Sequence, residues 1–185
     1  MPATIHGSPT HVLIVHVVVV LLPMSVLAAL VLVAVPAARR AYSLLTLIVA
    51  FIACVAIPFA FRSGSELRAR LPRTPLIARH VQLAHQLLPI AAAFGVALAA
   101  FVVLDALRRA HSGQLNVFEG RVVDAAPTLR RYAETHRLTG AHRTAAALVV
   151  VLAVATGVQV YRVGDAGAKA AWAGRLSNSA PPPSH

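Results

Sequence analysis

The chain is 185 residues long, 58% hydrophobic and 12% charged, with a mean hydropathy of +0.72, whereas soluble domains average roughly 45 to 50% apolar and about 25% charged. Apolar stretches take up most of that length, which leaves no room for a nucleotide-binding domain or another sizeable water-soluble catalytic unit. The 17 basic residues, all arginine except Lys169, stand against 6 acidic ones for a formal charge of +11; lying between and beside the apolar runs, they point to anionic lipid headgroups and the setting of topology rather than to nucleic acid.

The first run, HVLIVHVVVVLLPMSVLAALVLVAV at 11–35, exceeds the roughly 20 residues that a bilayer-crossing helix needs. Pro23 is compatible with a membrane helix. The segment before the run has no Lys or Arg and the run is long, which excludes a typical cleavable signal peptide. A short turn, Pro36 to Ala41, leads to the second span at 42–61 and so predicts an antiparallel hairpin. Cys54, the sole cysteine, lies inside this span, so one chain builds neither a disulfide framework nor a CxxC motif. Ser63, Gly64, Pro72 and Pro75 read as turn signals in the polar segment that follows.

The third span, 83–105, begins half-polar in LIARHVQLAHQ and is wholly apolar from Leu87 to Leu104. A basic loop, 106–143, follows. Its TLRRYAETHRL stretch is expected as a surface helix, and His111, His136 and His142, like His6 and His185, are read as solvated. The fourth span is 144–161. GDAGAKAAW then reads as a glycine cap followed by an interfacial helix with Trp172 among headgroups, and the tail 177–185 as disordered. The fold expected is an all-α integral membrane protein, a four-transmembrane-helix bundle forming one membrane domain over 1–185. Arg39 and Arg40 directly follow the first span, which places the N-terminus outside a bacterial inner membrane.

An internal similarity divides the chain. The pattern HVxxxH occurs at 11–16 and again at 80–85, and His16 and His85 each precede an arginine, Arg39 and Arg108, by 23 residues. At 1.5 Å per residue each histidine stands roughly 35 Å from its arginine, near the far edge of a hydrocarbon core about 30 Å thick. FRSGS and YRVGD are similar exits from the second and fourth spans. Two duplicated helical hairpins, parallel in the membrane, are expected.

IHGSPTHVLIVHVVVVLLP at the start, SG after the second span, RH before the apolar part of the third and VYRVGDAGAKAAW after the fourth resemble the actinobacterial members of the membrane-protein family known as domain of unknown function 2231. The resemblance covers nearly the whole chain and implies a four-helix integral membrane protein with no activity attached. The matching positions are Gly7, Pro9, His11, His16, Ser63, Gly64, His80, Gly164, Gly167 and Trp172; Val12 departs from the pattern, where proline commonly follows the first histidine. Relatives in that family are sometimes joined to haem c domains, which implies a redox setting.

An ionisable side chain within a span marks a functional site by default, which singles out His11, His16, His80 and His85. Three readings remain open. In a bundle of up-down order the first and third spans occupy diagonal corners, so histidines at equal depth suit a bis-histidine haem b for electron transfer, with Arg62, Arg79 and Arg162 at the same rim to pair with propionates. Zinc, copper or iron bound by His16, His80, His85 and His11 is a second reading. Residues five apart on a helix point about 140° from each other, so one helix does not aim both its histidines at one ion. In the third reading the histidines form a structural polar network in an accessory subunit of a larger membrane complex. No grouping of nucleophile, acid and base is visible, which argues against an enzyme.

Overall fold

The computed structural model describes residues 4–5, 8–69, 71–111 and 138–173. A two-residue antiparallel pairing, β1 (Thr4–Ile5) with β2 (Ser8–Pro9), leads into α1 (Thr10–Ala34), α2 (Pro36–Arg68), α3 (Pro75–His111) and α4 (Leu138–Trp172). All four helices are long and apolar enough to cross a membrane. The surface-helix segment before Leu138 and the tail from 177 lie outside the described residues.

In each span a third or less of the most apolar window is buried between helices. Most apolar side chains therefore face outward, as in a bundle whose solvent is lipid. What distinguishes the inward stripes is size. On α2 the buried positions are Ser43, Thr46, Ala50, Ala53 and Ile57, and on α4 they include Ala145, Val149, Ala153 and Thr156. Small residues at three- and four-residue steps let helix backbones approach where hydrophobic burial supplies little drive. Ser25, Ser43, Thr46 and Ser63 return their hydroxyls to carbonyls three or four residues back on their own helices. Phe94, Leu98 and Phe101 of α3 fill the space that remains.

The helices stand in cyclic order. α1 packs on α2 and α4, and α3 packs on α4 and α2, which leaves α1 and α3 on the diagonal, as expected for a simple up-down bundle.

Three expected breaks are absent. The turn expected at 36–41 belongs to α2, and the joint between α1 and α2 is Val35 alone, in an extended conformation (φ −118°, ψ 105°). Pro36 lacks an N–H and disfavours a helical residue before it, so it both stops α1 and starts α2. Ser63 and Gly64 lie inside α2, which continues to Arg68, and Gly164 and Gly167 lie inside α4, which continues to Trp172. A glycine within a helix costs about 1 kcal/mol relative to alanine, which the continued backbone bonding of α2 and α4 outweighs.

Candidate functional site

Polar contacts between helices concentrate at the two ends of the bundle. At the end where α1 meets α2, Asp105 of α3 is the centre. Its Oδ1 accepts from Nη1 of Arg39 on α2 at 3.1 Å and lies 3.2 Å from Nε2 of His142 on α4, and its Oδ2 accepts from Nε of Arg109 at 3.0 Å. Arg108 reaches the far side of the same imidazole, with Nη1 2.9 Å from Nδ1 of His142. Asp105, Arg109 and His142 are all buried, at 7%, 9% and 6% exposure. Arginine offers donors only, so Nδ1 of His142 accepts from Arg108. The remaining ring proton sits on Nε2, where Asp105 accepts it. The ring of Phe101 packs against His142, with centroids 4.9 Å apart, and lies under the Arg39 guanidinium at 5.8 Å.

Three helices are thus fastened through one carboxylate. Sequence reasoning missed this cluster and placed His142 in a solvated loop; that reading is corrected, because the residue is in the first turns of α4 and faces α3. The available signal was the i, i+4 pair Asp105 and Arg109 at the end of an apolar run, where a lone carboxylate needs partners.

The opposite end holds the histidines singled out above. His80 donates from Nδ1 to the carbonyl of Val163 on α4 at 3.0 Å. A Cβ at Gly167 would stand 3.1 Å from the His80 ring, so the glycine is what permits the ring to lie against α4. His85, five residues on, turns instead to α2, where its ring meets Phe61 with centroids 5.0 Å apart. The two side chains therefore address different helices, as their spacing requires. His16 is exposed on α1, and His11 lies in α1 with its side chain outside the described residues. Among the described residues no group of three or more His, Cys, Asp or Glu side chains is placed to hold a metal ion.

Gln159 completes this layer. Only 4% exposed, it donates from Nε2 to the carbonyl of Leu83 at 2.8 Å, and its Oε1 accepts from Nη1 of Arg162 at 3.4 Å. Arg162 and Arg79 come together on the walls of one groove between α3 and α4, whereas Arg62 is exposed on α2 and takes no part in it. Gln159 carries no charge and no motif, which is why its role was not legible.

Four lipid-soluble helices tied by polar contacts near each end define a polytopic membrane protein. Within that class the chain belongs to the family described as predicted membrane protein, domain of unknown function 2231, whose family model matches residues 7–180. No curated protein and no solved structure matches it.

Proposed function

We propose that the chain is a non-catalytic component of a bacterial inner membrane, with its N-terminus outside, whose polar layers hold the bundle and whose apolar perimeter meets lipid or the other subunits of a membrane complex. The observation that carries this reading is the sharing of Asp105 among Arg39, Arg109 and His142. His80 and Gln159 support it, since each binds a backbone carbonyl of the neighbouring helix. Polar side chains that satisfy one another between helices act as fasteners. The test is Asp105→Asn and His16→Ala protein purified in mild detergent. Lower thermal stability or weaker co-purification, with metal content and visible absorption unchanged, is expected. Monodisperse variants of unaltered stability and unaltered partners overturn the reading. Labelling of Ser8→Cys from outside the cell, in a Cys54→Ala background, is expected for this orientation, and labelling only after lysis reverses it.

A second reading, haem b held for electron transfer, has one contact in its favour. A histidine whose Nδ1–H is fixed on a carbonyl, as in His80, keeps Nε2 for iron. His80 with His16, His85 or His11 would hold the group, and Arg79 and Arg162 would pair with its propionates. The chain's part would be to fix the ring of His80 against Gly167 and the Val163 carbonyl. Dithionite-reduced protein, expressed with ample haem, is expected to show b-type bands that His80→Ala removes; colourless protein overturns this reading. Zinc, copper or iron on the same histidines predicts stoichiometric metal that falls in the His16→Ala, His80→Ala double variant, and metal-free protein overturns it.

A further inference from the structure

At the His80 end of the bundle an open groove of about 90 Å3 is cut between α3 and α4. Leu76, Leu83 and Ala166 give it apolar walls, and Arg79, Arg162 and Lys169 bring cations to it. Its one carboxylate, Asp165, is paired with Lys169 at 2.8 Å. Arg79 makes no polar contact with any described residue. Arg162 is aimed from within, because its bond to Gln159 is anchored in turn on the carbonyl of Leu83. One guanidinium from each helix therefore enters the groove without a carboxylate to neutralise it.

Depth places this pair among headgroups. The bonds of His80 to Val163 and of Gln159 to Leu83 set an antiparallel register that brings Arg79 and Arg162 to nearly one level. Arg162 follows Arg143 by 19 residues, about 29 Å of helix, which matches a hydrocarbon core of about 30 Å.

The groove also continues into the membrane. Val154, Val158 and Tyr161 are exposed at 53%, 53% and 74%. At i, i+4 and i+7 they share a face of α4 that leads from Asp165 toward the bilayer centre.

We propose that this groove is a binding site for one anionic phospholipid. The phosphate sits between Arg79 and Arg162 as a charge-assisted, forked contact. Tyr161 lies at the glycerol level, and an acyl chain follows Val158 and Val154. A zwitterionic lipid would bring its headgroup cation against Lys169 and Arg79, so the site selects against it. Inorganic phosphate would gain the charges and forgo the apolar track.

Full-length protein, delipidated in mild detergent, is titrated with phosphatidylglycerol, with phosphatidylcholine and with inorganic phosphate, and bound ligand is counted by native mass spectrometry. One phosphatidylglycerol per chain is expected, with at least tenfold weaker binding of the other two. Arg79→Gln is expected to weaken phosphatidylglycerol at least tenfold, and Arg79→Glu further. Arg79 is exposed and makes no polar contact among the described residues, so these variants are expected to keep the fold. Arg62→Gln, at a similar level but on α2, is expected to bind as the wild type does. Equal binding of phosphatidylcholine, tight binding of phosphate alone, or equal losses in the Arg62 and Arg79 variants would overturn the proposal.

Discussion

Arg108 and His142 meet at 2.9 Å, guanidinium Nη1 to imidazole Nδ1, across the α3–α4 interface. The same imidazole has Arg39 at its other nitrogen, 3.3 Å from Nε2. The two arginines that follow His16 and His85 at equal spacing thus come to one ring, so both lie at one depth. Arginine donors face both nitrogens, so the Asp105 carboxylate, 3.2 Å from Nε2, is what selects the tautomer with its proton there. Nitrogen-15 spectra of selectively labelled histidine should show His142 with its proton on Nε2 and an acceptor Nδ1. Arg108→Leu should shift the Nδ1 signal, by removing its donor, while the proton stays on Nε2 beside Asp105.

Asp105 neutralises cations from two directions, so its loss is felt more than theirs. Asp105→Asn leaves buried guanidinium groups without their carboxylate and should lower unfolding free energy by roughly 3 to 5 kcal/mol, the usual cost of breaking a buried pair from one side. Arg39→Gln should cost less, because Arg109 still holds Asp105. Unfolding in mixed micelles by a denaturing detergent measures both; equal effects would contradict the central role of the carboxylate.

Two helical glycines give opposite expectations. A Cβ at Gly164 meets nothing within 4 Å, whereas one at Gly167 stands 3.1 Å from the His80 ring. Gly164→Ala should stabilise α4 by about 0.5 to 1 kcal/mol. Gly167→Ala should displace the ring, loosen its bond to Val163 and cost about 1 kcal/mol or more. In a double-mutant cycle, His80→Ala should relieve most of the Gly167→Ala penalty, since the clash is with that ring.

Thr156 is fully buried, and among the described residues its hydroxyl finds no hydrogen bond. Thr156→Val keeps the shape and removes the unmade bond, so it should raise stability by about 1 kcal/mol. Gln159→Leu, by contrast, removes a made bond between helices and should cost about 0.6 kcal/mol, the average for such contacts in membranes. The two substitutions can be compared in one thermal-shift series, where a loss on Thr156→Val would point to a partner for its hydroxyl.

The number of spans was legible because runs such as 11–35 are apolar on every side, a pattern that needs lipid rather than a core. The separation of His80 and His85 was legible too, because helix geometry alone turns them apart. The Asp105 cluster was hidden by distance. His142 follows Asp105 by 37 positions, and nothing in TGAHRT marks one of its side chains as buried. Gly64, Gly164 and Gly167 misled because glycine is read first as a helix end. At Gly167 its lack of a side chain serves an approach between helices, which no single-helix signal reveals.

With only Val35 between α1 and α2, the first half of the molecule has no slack. An insertion or tag placed there has to be absorbed by two helices at once, and a protease finds no strand long enough to enter its cleft. The pair is suited to enter the bilayer as one unit.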